Sequence, residues 1–207
     1  MTELCDDSAV DLRRRIGVKD ISPVELTESC IRRIESVNGT LNAMVSTCFE
    51  RAMDEAKAAE QAVMDGEFLG ALHGLPIAIK DLEVTEGLRT TFGSKLYQDN
   101  VPEKDQLSVA NVRDEGAIVI GKSNTPEFGA GANTRNLVFG ATGNPFDPVK
   151  TCAGSSGGSA VALATGMVPI ASGSDYGGSL RTPAAFCGVV GFRPTPGVVP
   201  TEVKPAG

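Results

Sequence analysis

The sequence predicts an α/β fold: a mixed, mostly wound sheet flanked by helices. Three observations carry this. Short apolar runs at Leu75–Ile79, Ala117–Ile120 and Val168–Ala171 have the length and content of buried strands. Segments of helical character, Ser108–Asp114 and Ser159–Thr165, fall between them. Strands alternating with helices wind into a sheet covered on its faces.

The first third reads as helical. Ser22-Pro23-Val24-Glu25 is a capping box with proline at the first helical position. Val24, Ile31 and Ile34 recur at helical spacing, which predicts a helix from Pro23 to about Val37. A second helix, rich in Ala, Glu and Lys, is predicted from Phe49 to Met64, with Gly66 ending it. Residues 1–70 are thus expected to form a helical segment packing on an α/β core of residues 71–207, the two making one domain. No low-complexity linker separates them, unless the opening stretch is one. The closing stretch Val198–Gly207 offers nothing like a terminal helix that would cover a sheet edge, an exposed edge being a liability. The sequence is therefore expected to stop inside a larger fold.

Composition narrows the function. The 207 residues carry a net charge of −7, against the basic stripes that nucleic acid rewards. No apolar run reaches the roughly 18 residues of a membrane span. MTELCDDSAVDLRRR has no apolar centre for a signal peptide. The five cysteines are odd in number and have no CxxC spacing, and there is one histidine. Reduced thiols in a cytoplasmic protein are the expectation, rather than a disulfide framework or a zinc site.

Two motif matches fail on context. Gly116–Ser123 fits GxxxxGK[ST] letter by letter, but its variable positions Ala-Ile-Val-Ile favour strand. Asn124-Thr125-Pro126 also interrupts any helix after it, so a buried strand is the better reading than a phosphate loop. Gly154-Ser155-Ser156-Gly157-Gly158 fits the GxSxG elbow, which needs a leading strand and a later histidine. Pro148–Thr151 is a poor strand, and His73 comes before the serine. Only a histidine from outside this sequence could complete such a triad.

Lysine is the remaining candidate base. Its free pKa lies near 10.4, so action at neutral pH needs a drop of roughly 3 units, about 4 kcal/mol. Burial supplies such shifts. Lys80 closes the apolar run of His73-Gly74-Leu75-Pro76-Ile77-Ala78-Ile79-Lys80-Asp81. The alternative is a snorkelling lysine paired with Asp81. Further on, Gly177-Gly178-Ser179 can turn tightly and aim consecutive N–H groups one way, as an oxyanion hole requires. The alternative there is a tight turn before a short helix, with Ser179 as its N-cap.

Taken together, GLPIAIKD (74–81), GAIVIGKSNTPEFG (116–129), CAGSSGGSAVALATG (152–166) and SDYGGSLRTPAAFCGVVGFRPTPG (174–197) resemble the amidase signature family of serine hydrolases, in the family's order. The similarity runs from about residue 20 to the end. The resemblance implies a Ser–cis-Ser–Lys triad without metal or cofactor. Ser179 would be the nucleophile, Ser155 the relay at an unusual cis peptide, and Lys80 the base. Backbone N–H groups of Tyr176, Gly177, Gly178 and Ser179 would line the oxyanion hole. Ser156 would orient Lys80 and Ser155, and Asp175 with Arg181 would brace the nucleophile turn. The implied partner is a small-molecule amide, with room for a homo-oligomer. Cys152-Ala153-Gly154 departs from the family's usual proline and two glycines, and Tyr176 is bulkier than the usual Ile or Thr. Members are also usually far longer. The resemblance embraces stand-alone amidases and the glutamine-hydrolysing subunit of tRNA-dependent amidotransferases. Asn124-Thr125-Pro126-Glu127-Phe128 looks more like the former. A non-catalytic truncated chain is the alternative from another class.

Overall fold

The computed structural model of the chain describes residues 3–200. Its first elements are a 3-10 turn at Leu4–Asp6 and helix α1, Ala9–Gly17. Ser8 caps α1 by accepting from the Asp11 N–H. Leu12 and Ile16, one helical turn apart, are both fully buried. The opening stretch is therefore part of the packed structure and not a linker. Its signals are the Ser8 cap and the Leu12/Ile16 spacing.

Helix α2, Pro23–Leu41, begins as expected. The Glu25 N–H donates to Ser22 Oγ at 3.0 Å, and the Ser22 N–H donates to Glu25 Oε2 at 2.9 Å. It runs past Val37 because Asn38 and Gly39 are tolerated inside it, and it stops where Asn42 turns left-handed (φ 52°). Asn38 Oδ1 accepts from the Ala43 and Met44 N–H groups and steers the chain into strand β1, Met44–Thr47. Helix α3, Phe49–Asp65, ends at Gly66 with φ 74°, as its sequence predicts.

The main sheet has the order β1-β3-β2-β6, with β2 at Pro76–Lys80, β3 at Ile118–Ser123 and β6 at Ile170–Ala171. β2 runs parallel to β3 and β6, and β1 runs antiparallel to β3, so the sheet is mixed as expected. β3 extends past Ile120 through Gly121-Lys122-Ser123, because β1 pairs with those residues. The phosphate-loop match is thus a buried strand. β6 is shorter than expected, with Val168 packed in the core ahead of it. The β2–β3 register shifts once: Ile77 pairs with Val119 but Ala78 with Gly121, leaving Ile120 as an extra residue.

Both faces of the sheet are covered. On one face Ala78, Ile118 and Ile120 join a core with Leu26 and Ile34 of α2, Ala52 and Val63 of α3, and Val161 of helix α5 (Gly157–Ala164). On the other, Ile77, Ile79 and Val119 pack with Leu88 and with Val109 of α4 (Leu107–Asp114). A two-stranded hairpin, β4 (Arg135–Asn136) with β5 (Gly140–Ala141), and a last helix, α6 (Arg181–Cys187), complete the described chain. No helix among the described residues is long and apolar enough to cross a membrane. The closing stretch from 201 onward lies outside the described residues.

Candidate active site

Lys80 ends β2 and is fully buried. Strand alternation turns Lys80 and Asp81 to opposite sides. The Asp81 carboxylate accepts from the Thr91 N–H at 3.0 Å and the Thr91 hydroxyl at 2.5 Å. The Lys80 ammonium instead donates to Ser155 Oγ at 2.7 Å, Ser156 Oγ at 2.9 Å and Ser174 Oγ at 2.9 Å. Among the described residues Lys80 and Asp81 form no ion pair, so the snorkelling reading fails. Burial pushes the Lys80 amine down to about 7, against the opposing pull of the Glu83 and Asp175 carboxylates. That is the shift a neutral-pH base requires.

The serines arrive on a loop leading into α5. The Gly154–Ser155 peptide bond is cis, and Ala153 before it has φ 63°. Ser155 and Ser156 are both buried. The loop can sit this deep because α5 opens with two glycines. A Cβ at Gly158 would strike the backbone of Asn124 and Ala43. Ser123 Oγ and Ser159 Oγ, 2.6 Å apart, tie the end of β3 to α5. Ser159 Oγ in turn donates to the Ser172 carbonyl, and Ser172 Oγ accepts from the Lys80 N–H at 2.8 Å.

Residues 174–181 form the facing turn. The Ser156 N–H donates to the Ser179 carbonyl at 2.9 Å, joining the two loops. Asp175 holds the turn from inside: it accepts from the Gly178 N–H at 2.8 Å, from the Leu180 and Arg181 N–H groups, and from Arg181 Nε at 2.9 Å. Arg181, then burial working in the opposite sense, then those N–H groups, set its titration, and the carboxyl is held well below the usual carboxylate range. Ser179 does not cap α6; Leu180 occupies that position. Gly178 has φ 105°, which glycine tolerates. Its N–H is committed to Asp175, whereas those of Tyr176, Gly177 and Ser179 have no hydrogen-bond acceptor among the described residues. The Tyr176 side chain is fully exposed.

The structure therefore gathers Lys80, Ser155 and Ser156 into one hydrogen-bonded group, and Asp175 and Arg181 into one ion pair. Ser179 is brought alongside through its carbonyl, but among the described residues its Oγ makes no hydrogen bond to Ser155 Oγ. Sequence reasoning did not single out Ser172 and Ser174. The only signal for Ser174 was its place in the GSDYGGS turn. His73, the only histidine in the sequence, sits with Nε2 2.9 Å from the Ala59 carbonyl, in another part of the fold. Beside Ser156 a groove of about 250 Å³ is lined by Ile170, Gly173, Leu180, Val190 and Phe192.

Known proteins share this arrangement of sequence and fold. Residues 25–204 match the Amidase family model. The chain is 43% identical over 190 residues to a glutamyl-tRNA(Gln) amidotransferase subunit of Alkaliphilus metalliredigens, covering 92% of this chain and 39% of that one. It is 41% identical over 196 residues to an acylamidase of Rhodococcus erythropolis, covering 95% and 41%. A bacterial aryl acylamidase of the amidase signature family superposes with a TM-score of 0.82 at 37% identity, covering 86% of this chain and 37% of that chain. The chain thus spans about two-fifths of the length of the relatives it matches. A match across most of its length, on a fold shared with these enzymes, makes this chain a member of the amidase family, of the amidase signature type.

Proposed function

We propose that this chain carries the reacting groups of a serine hydrolase that cleaves carboxylic amide C–N bonds. The observation that carries the reading is the 2.7 Å hydrogen bond from buried Lys80 to Ser155, with the amine held near 7. A lysine so placed is uncharged often enough at neutral pH to accept a proton. In this reading neutral Lys80 takes the Ser155 proton while Ser155 takes that of Ser179. Ser179 Oγ then bonds to the amide carbon. The N–H groups of Tyr176, Gly177 and Ser179 receive the oxyanion, and Gly178 contributes the backbone turn, its own N–H being held by Asp175. The proton returns through Ser155 to the departing amine as the C–N bond breaks. Water, deprotonated along the same route, releases the acid from Ser179. No metal or cofactor enters this cycle. The helical segment 1–70 and the core 71–207 act as one unit in it, since α2 and α3 share a core with β2 and α5.

A second reading rests on the 43% identity to the amidotransferase relative: glutamine is the amide, and partner subunits receive the ammonia. The acylamidase is nearly as similar at 41%, so identity does not separate the two.

Intact-mass analysis after fluorophosphonate treatment tests the site. One adduct on the chain and none on Ser179→Ala supports it; labelling that survives the substitution overturns it. Hydrolysis of a small anilide but not glutamine favours the stand-alone enzyme, and glutamine hydrolysis favours the amidotransferase reading.

A further inference from the structure

The sequence that mimicked a phosphate loop leaves a second buried lysine unexplained. Lys122 on β3 is as inaccessible as Lys80. It pairs in register with Ile79, so it faces the side of the sheet that Asp81 faces and Lys80 does not. Its ammonium donates to the Glu83 carbonyl and, at 2.8 Å, to Thr85 Oγ1. The Glu83 N–H in turn donates to the Lys80 carbonyl at 2.9 Å, closing the turn in which Lys80 sits. One ammonium thus grips the outer corner of the turn that presents the other.

We propose that Lys122 is a positioning residue for Lys80: it clamps the Lys80–Glu83 turn from behind and supplies the buried counter-charge that Glu83 would otherwise draw from Lys80. The proposal rests on the reading of Lys80 as the base. The titratable groups around the two lysines are few. Lys80 is faced by Glu83 after β2 and by Asp175 before α6. Lys122 is faced by Asp81, Glu83, Asp105 before α4, and the Cys48 thiol before α3. Glu83 lies within electrostatic reach of both ammonium groups. Burial lowers Lys122 to about 8, so at neutral pH it remains mostly charged and opposes the burial that raises the Asp81 and Glu83 carboxyls. Without it, Lys80 is the remaining buried cation near Glu83 and keeps its proton to higher pH.

The test follows Lys80 itself. Chains labelled with [ε-13C]lysine are titrated by NMR, with Lys80→Ala assigning the resonance. Lys122→Met is expected to raise the Lys80 midpoint by roughly one unit, and Lys122→Arg, which keeps the charge, to leave it within a few tenths. Adding Glu83→Gln to Lys122→Met should return the midpoint toward that of the parent. An unmoved midpoint in Lys122→Met, or an equal shift in Lys122→Arg, overturns the proposal. Should Lys122→Met fail to fold, Glu83→Gln alone is expected to lower the midpoint, and no change there overturns the proposal as well. The base reading fails separately, if Lys80→Ala reacts with fluorophosphonate as fast as the parent.

Discussion

The carboxylate of Asp175 and the guanidinium of Arg181 meet through two contacts, Nε to Oδ2 at 2.9 Å and Nη2 to Oδ1 at 3.0 Å, spanning the turn that carries Ser179. The same carboxylate accepts three backbone N–H groups of that turn. One buried side chain therefore sets the direction of the Gly178, Leu180 and Arg181 N–H groups around Ser179.

Asp175→Asn should lower amide turnover by about 10²-fold or more, comparable to the loss of an oxyanion donor, because an amide nitrogen cannot accept from N–H groups. Arg181→Ala, which removes an exposed side chain and leaves the backbone donors paired, should cost no more than about tenfold. Comparing kcat/KM of the two variants checks this. Since the Asp175 carboxyl is held below the usual range, the stability it contributes is present above about pH 4 and is lost only as pH falls below that.

Lys80 should give the reaction an acid limb. The free amine predominates above about pH 7, so kcat/KM should rise through that value, about tenfold per unit below it. Stability should carry the matching signature. Between about 7 and the unfolded value near 10.4, the unfolded chain binds a proton that the folded chain does not, so stability grows as pH rises. Lys80→Met removes that slope. Denaturant unfolding of parent and variant from pH 6 to 10 should show the difference moving in the parent's favour, by on the order of 4 kcal/mol at most over the whole window.

Gly158→Ala tests the close approach of α5 to the end of β3. The new methyl meets backbone rather than a flexible side chain, so α5 must move. A loss of about 2–3 kcal/mol in unfolding free energy is expected, together with loss of fluorophosphonate labelling. Gly177→Ala, where an added Cβ meets nothing within 4 Å, serves as the control and should stay within about 0.5–1 kcal/mol of the parent.

Tyr176 offers the opposite case. Its ring is fully exposed, and the proposed chemistry uses only its N–H. Tyr176→Ile should leave kcat within about threefold, since a surface exchange that keeps the backbone donor removes no oxyanion contact. A larger loss in steady-state assays would mean that the ring touches substrate.

Much of this site was legible in the residues alone. Gly177-Gly178-Ser179 announces a turn because two adjacent glycines free the backbone, and Lys80 stands out as a charge at the end of an apolar run. The resemblance to amidase signature enzymes supplied the link between them. Other features were hidden because they are made at long range. Ser174 meets Lys80 across 94 positions, and nothing local to either residue encodes that contact. The choice between a Lys80–Asp81 pair and a buried amine depended on Thr91, which supplies both donors to Asp81. Helix α1 is encoded locally, by Ser8, Leu12 and Ile16, within a highly charged segment. β1 is four residues long, too short for periodicity to mark it.

The surplus residue Ile120 has a consequence for the two lysines. With one-to-one pairing from Pro76 and Ile118 onward, Lys80 would lie opposite Lys122 rather than Ser123. Two ammonium groups would then share one face on strands about 5 Å apart, a repulsion of about 3 kcal/mol even at an effective dielectric of 20. The offset works as a partition wall: it sorts two like charges into separate compartments of a single sheet, with the Glu83 carboxyl within reach of both. A deletion of one residue in β3 would merge those compartments, and the cost would fall on protonation rather than on packing alone.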